Sequence, residues 1–179
     1  MIRILFVCLG NICRSTMAEF MFRDMAEKAG LGSRFYIESA GTSAEEAGNP
    51  VHRGTRQVLD RLGISCAQKR ARKMTAEDYG RFDYLIGMER SNIRSMERIC
   101  GGDPEHKMSR LLEHAPERYA RAGQDVADPW YTGDFEATYR DVKAGCEGLL
   151  AELAAGTERA VAQRAGTEFA GTDCAGTER

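Results

Sequence analysis

A chain of 179 residues with 25 Lys and Arg against 27 Asp and Glu carries a formal net charge of −2, which argues against a nucleic-acid-binding surface and implies no strongly charged partner. With 42% hydrophobic and 29% charged residues, the composition is that of an ordinary globular protein, long enough for one well-buried domain and short for two. No apolar stretch approaches a membrane span, and Met1-Ile2-Arg3 runs straight into an apolar segment without a cleavage pattern, so a cytoplasmic protein without membrane contact is expected.

The apolar run Ile2 to Val7 predicts a buried parallel strand, and the patterned segment Thr16 to Gly30 predicts a helix behind it. Between them lies Cys8-Leu9-Gly10-Asn11-Ile12-Cys13-Arg14-Ser15. A loop in that place has the unpaired amides and the positive dipole end of a helix to offer, so Leu9 to Arg14 read as a phosphate cradle. Gly10 and Asn11 are expected to take the left-handed backbone angles of a tight ring of amides. The same field favours the thiolate of Cys8, which makes it a candidate nucleophile. Arg14 presents a planar fork able to hold two oxygens of a phosphoryl group, which a lysine could not. Ser15 adds a hydroxyl able to donate to the cysteine sulfur. A lone C-x5-R would be read better as a small buried hydrophobe at a strand end; the whole octet supports the reactive reading.

In the following helix Met17, Met21 and Met25 with Phe20 form a core face, Glu19 is read as a first-turn residue, and Gly30 closes the C-terminus. Phe35 to Ala40 predicts a second strand, and a helix carrying Val58, Leu59 and Leu62 stops at Gly63. Lys69-Arg70-Ala71-Arg72-Lys73, the most basic stretch, is read as a solvated loop. Thr75 to Asp78 marks a helix start, and Phe82 to Met88 a third buried strand. Glu89 and Asn92 fall at the strand edge on which open α/β sheets bind ligands; a first-turn dipole role for Glu89 is slightly favoured. The next helix ends at Gly101-Gly102, Lys107 to Leu112 predicts a fourth strand, and His106 and His114 are placed on the surface. Pro129 is expected to keep Asp128-Pro129-Trp130-Tyr131 out of helix geometry. Phe135, Tyr139, Val142, Cys146, Leu149, Leu150 and Leu153 then make one apolar stripe of a long helix. From Ala155 the sequence turns into Ala-Gly-Thr-rich pentads, read as a low-complexity, disordered tail over 155–179. The fold class is therefore α/β, an open, mainly parallel sheet flanked by helices, in one domain over 1–154.

Six cysteines (Cys8, Cys13, Cys66, Cys100, Cys146, Cys174) at irregular spacings are expected to be reduced thiols. The three histidines are neither clustered nor spaced as ligands, so neither a metal nor a cofactor is expected.

Cys8 to Ser15, Ser39-Ala40-Gly41-Thr42, Phe82-Asp83-Tyr84 with Met88-Glu89 and Asn92, and Asp128-Pro129-Trp130-Tyr131 together resemble the low-molecular-weight protein tyrosine phosphatases over roughly residues 1 to 154. The resemblance implies metal-free hydrolysis of protein phosphotyrosine through a phosphocysteine. It makes Cys8 the nucleophile, Arg14 the phosphate clamp and Asp128 the acid and then the base. Leu9, Gly10, Asn11, Ile12, Cys13 and Ser15 form the binding loop, with Trp130 and Tyr131 as walls of the slot. It also implies Ser39 to Thr42 near the site, although an ordinary strand-to-loop turn reads equally well. The family's H-x-A-R histidine, directed toward the cradle serine, is replaced here by Lys69, which puts that contact in question.

The alternatives are a protein-arginine phosphatase, an arsenate reductase, and a module that binds phosphate without hydrolysing it. The first carries threonine where Ile12 stands. The second needs further relay cysteines, and Phe82 to Met88 has none. The third has no use for a nucleophile. Cys8 and Cys13 as a thiol oxidoreductase lack the C-x-x-C spacing and read better as redox regulation. Nothing in the sequence specifies an oligomeric state.

Overall fold

A computed structural model describes the backbone of residues 1–169 and the side chains of residues 1–156. Strand β1 (Ile2–Cys8) leads into helix α1 (Arg14–Lys28), followed by β2 (Phe35–Gly41), α2 (Arg53–Arg61), α3 (Glu77–Arg81) and β3 (Tyr84–Gly87). Then come α4 (Arg90–Cys100), β4 (Met108–Arg110), the short α5 (Pro129–Thr132) and α6 (Phe135–Phe169). The four strands form one sheet in the order β2-β1-β3-β4, parallel throughout. From β1 the chain crosses to one side to make β2 and to the other to make β3. The C-terminal end of β1 is thus a topological switch point, where open α/β sheets leave a crevice.

Both faces of β1 are covered. Ile4 and Phe6 join the larger core with Met17, Met21 and Phe22 of α1 and Val142, Cys146 and Leu149 of α6. Leu5 and Val7 point the other way, to Phe82, Leu85 and Met96. Alternation with a period of two residues accounts for this division, and burial on both faces explains why the strand reads as a continuous apolar run.

Helix α1 ends as expected, with Gly30 at a φ of 72°, its N–H on Glu27 O and the N–H of Leu31 on Ala26 O, the paired bonds of a Schellman turn. Its core aromatic, however, is the fully buried Phe22; Phe20 lies at the margin, beneath the Arg23 guanidinium. Glu19 is not in the first turn, because the helix begins at Arg14, and it is almost completely buried.

The basic stretch is solvated only in part: Arg70 and Lys73 are exposed, whereas Lys69 and Arg72 are half-buried. Lys69 pairs with Glu19 at 2.7 Å, with the two side chains 13% and 6% exposed. Arg72 bridges Glu38 and the fully buried Asp78. A charge run sampled by composition alone carries no record of its buried partners, which come from α1, β2 and α3. His114 is likewise more enclosed than expected, with a side chain 15% exposed, placed between Ser109 Oγ at 2.8 Å and Glu152 at 2.7 Å.

Pro129 opens a helix turn and does not exclude one. It stands at the first position of α5, where its missing N–H costs nothing and its fixed φ fits. Helix α6 packs the predicted stripe and comes close to the chain through two glycines. A Cβ on Gly145 would stand 2.5 Å from Leu111 Cγ, and one on Gly148 1.8 Å from His114 O. The helix runs on past Ala155 to Phe169. Of the tail expected over 155–179, residues 157–169 are described as helical backbone only, and 170–179 lie outside the described residues. Among the described residues no helix is long and apolar enough to cross a membrane.

Candidate active site

The loop between β1 and α1 is built on one left-handed residue. Asn11 takes φ 59°, whereas Gly10, expected to share that geometry, does not adopt a positive φ. Asparagine tolerates this region when its side chain is held locally, and here it is held three times. Asn11 Nδ2 donates to Ser15 Oγ at 3.0 Å and to Ser39 Oγ at 2.7 Å, and Asn11 Oδ1 accepts from the Arg72 N–H at 3.0 Å. Gly10 serves by its size, since a Cβ there would stand 3.1 Å from Glu46 Cγ.

Cys8 Sγ lies 3.0 Å from Ser15 Oγ and accepts the Asn11 N–H at 3.2 Å. The sulfur thus faces one amide donor and one hydroxyl. The N-terminus of α1 has no side-chain cap, which leaves its positive end to a ligand. Arg14, 2% exposed, reaches Asp128 Oδ2 through Nη2 at 2.6 Å and Glu89 Oε2 through Nη1 at 3.3 Å. Burial opposes the guanidinium charge, but Cys8, Glu89 and Asp128 outweigh it and hold the Arg14 pKa above its ordinary value. Arg14 Nη1 has no hydrogen-bond acceptor with good geometry, so it has donors to offer an oxyanion. Cys13, in contrast, has its pKa pushed up to about 12, first by burial and then by the negative charge at Cys8. It is therefore a neutral thiol at pH 7.

A pocket of about 190 Å³ opens over the loop, lined by Cys8, Leu9, Gly10, Ile12, Cys13 and Arg14 together with Asp128, Trp130 and Tyr131. Trp130 and Tyr131 are 61% and 80% exposed and form an open aromatic rim. Asp128 caps α5 by accepting the Trp130 N–H at 3.0 Å. Nine predicted site residues therefore meet at one pocket. Asn11 and Ser15, 1% and 0% exposed, do not line it; they support the loop from behind.

The sequence left open whether Glu89, the segment Ser39 to Thr42 and Lys69 reach the site, and the structure brings Glu89, Ser39, Gly41 and Lys69 to it. Glu89 contacts Arg14 while also capping α4 in a reciprocal box with Asn92; its place after a buried strand was the available signal. Ser39 donates to Glu19 at 2.6 Å, and Lys69 donates to Ser39 O at 3.1 Å. Lys69, Glu19, Ser39, Asn11 and Ser15 therefore form one chain of contacts ending at Cys8, so the residue replacing the family's histidine does connect to the cradle. Gly41 allows the close approach, since a Cβ there would meet Leu9 O at 2.6 Å. Glu45 and Glu46 line the pocket mouth with no sequence signal to indicate it.

A sequence model described as "Low molecular weight phosphotyrosine protein phosphatase" matches residues 3–159. The chain belongs to that family. Low molecular weight phosphotyrosine protein phosphatases are cysteine-dependent enzymes. Among its relatives is the low molecular weight protein-tyrosine-phosphatase YfkJ of Bacillus subtilis, 44% identical over 153 residues, covering 86% of this chain and 96% of that one. The crystal structure of YfkJ superposes with a TM-score of 0.82 over 87% of this chain and 96% of the other. A Schizosaccharomyces pombe member is 42% identical over 133 residues, covering 74% of this chain and 83% of that protein. The low molecular weight phosphatase structure from Streptococcus pyogenes is 37% identical, with a TM-score of 0.74 over 86% of this chain and 93% of that one. Among the described residues, no group of three or more His, Cys, Asp or Glu is placed to hold a metal.

Proposed function

We propose that this phosphatase hydrolyses protein phosphotyrosine through a phosphocysteine on Cys8. The observation that carries the reading is the convergence of Cys8, Arg14 and Asp128 on one pocket at the N-terminus of α1. The Cys8 thiolate attacks phosphorus, and the S–P bond forms as the bond to the tyrosyl oxygen breaks. Arg14 and the loop amides hold the non-bridging oxygens as their charge spreads. Asp128 gives its proton to the departing phenolate, and Trp130 and Tyr131 flank the ring. Asp128, now a carboxylate, takes a proton from water, whose oxygen attacks phosphorus and expels the Cys8 sulfur. The Ser15 hydroxyl, 3.0 Å from Cys8 Sγ, donates to that sulfur as it leaves. Arriving phosphate replaces Asp128 as the partner of Arg14, and the released carboxylate takes up the proton that it then donates.

Ile12 lines the pocket and is 8% exposed. It offers an apolar surface to an aromatic ring and no acceptor to a guanidinium, which supports phosphotyrosine over phosphoarginine. Rapid acid quench of the enzyme turning over an aryl phosphate, followed by peptide mapping, should recover phosphate on Cys8. The Cys8→Ser variant should be inactive yet still bind an oxyanion. Turnover near the wild-type rate by that variant would overturn the covalent pathway.

A further inference from the structure

The residue ahead of Asp128 is held by both of its backbone groups. The Ala127 N–H donates to Asp141 Oδ2 at 2.8 Å, and the Ala127 carbonyl accepts from Thr138 Oγ1 at 2.8 Å. Both side chains come from the first turns of α6, and they are 1% and 0% exposed.

Neither residue belongs there on packing grounds. A buried threonine in a helix usually returns its hydroxyl to the carbonyl four residues back, but Thr138 lies 3.4 Å from Asp134 O, well beyond its distance to Ala127 O. A buried carboxylate is costly unless several donors meet it. Asp141 has three: the Ala127 N–H, the Tyr119 hydroxyl at 2.7 Å and Arg121 Nε at 2.9 Å. Arg121 extends the grip to Asp125 O at 2.8 Å, and the Val126 N–H reaches Met88 O at 2.9 Å. The strand of chain entering Asp128 is thereby fastened to α6 on one side and to the end of β3 on the other.

The geometry points to Thr138 and Asp141 as positioning residues, which fix Ala127 so that the Asp128 carboxylate stands over Arg14 and Cys8. This rests on Asp128 being the general acid. An acid displaced by an ångström from its proton acceptor loses much of its effect, a misplacement of that size costing up to ~10²-fold. A clamp of this kind should therefore matter most where the leaving group needs protonation.

The test compares kcat/KM across aryl phosphates whose leaving groups run from weakly basic to tyrosine-like, for wild type, Asp128→Asn, Thr138→Val and the double variant. Thr138→Val keeps the shape and removes the donor. It should lose about 10-fold on the most basic leaving group and about 2-fold or less on the weakest, within the ~10²–10⁴-fold that a general acid supplies. Combined with Asp128→Asn it should add no further dependence on the leaving group. Thr138→Ser should restore the wild-type profile. Asp141→Asn, which places an N–H₂ among three donors, should steepen the profile as Thr138→Val does, and it carries the test if Thr138→Val does not fold. A uniform loss across the series in both Thr138→Val and Asp141→Asn, or a melting point lowered without any steepening, would overturn the inference. If Asp128→Asn steepens the series and the clamp variants do not, the inference alone fails. If Asp128→Asn leaves the series parallel to wild type, the acid assignment fails and the inference falls with it.

Discussion

Lys69→Met separates a solvated lysine from one that completes a buried network. Methionine keeps the apolar stem and removes the ammonium that stands 2.7 Å from Glu19 Oε2. Glu19 would retain the Ser39 hydroxyl at 2.6 Å and Arg23 at 2.9 Å, whose side chain is 38% exposed. Removing one partner of a buried pair costs ~3–5 kcal/mol, and the surviving, partly solvated Arg23 offsets a share of that, leaving about 2–3 kcal/mol. For a chain of this size each kcal/mol moves the melting temperature by about 2–4 °C, so a fall of roughly 4–12 °C is expected at neutral pH. A lysine in a solvated loop would change stability by no more than about 0.5 kcal/mol. Differential scanning calorimetry reads the difference directly. The double variant Lys69→Met with Glu19→Gln should recover part of the loss, because no unpaired carboxylate is then left buried. A fall of less than about 2 °C, or strictly additive losses in the double variant, would refute the network.

Gly148→Ala should destabilise although alanine is the better helix former by ~1 kcal/mol, because its Cβ would stand 1.8 Å from His114 O and overpacking against backbone costs ~1–3 kcal/mol or more. The exposed Gly156, with nothing within 4 Å of its would-be Cβ, is the control; a rise in melting temperature for both alanine variants would contradict the close approach. Asp103→Asn should weaken the protein at neutral pH and make little difference in acid. Burial pushes the Asp103 pKa up, but the N–H groups of Lys107 and Met108 and the Tyr79 hydroxyl pull it below its ordinary value. A depressed folded-state pKa contributes stability above the unfolded carboxylate value that is lost as pH falls through the folded one. Melting curves for variant and wild type that stay equally separated from pH ~7 to pH ~2 would exclude this contribution.

Local pattern was enough for the parts of the molecule where chemistry and periodicity coincide. The octet Cys8 to Ser15 between an apolar run and a helical pattern announced the loop that joins β1 to α1, because strand, loop and helix are contiguous there. The strands and the apolar stripe of α6 were legible because burial on both faces, or on one, leaves a period in the sequence. What tertiary structure decided is every contact whose partner is remote. Glu19 looked like a helix-terminal acid and became the buried partner of Lys69, fifty residues on; the basic run from Lys69 to Lys73 looked solvated for the same reason. Pro129 signalled a break, whereas its position after the capping carboxylate of Asp128 made it a helix start. Thr138 and Asp141 gave no signal at all, since a polar residue on a helix is by default a solvent-facing one, and only the return of the chain past α6 placed the backbone of Ala127 against them. Sequence marks the groups from Cys8 to Ser15 because they sit together along the chain; the approach of the remote Asp128 to Arg14, and the orientation of the loop, depend on side chains brought in by the sheet order and by α6, which only the folded chain assembles.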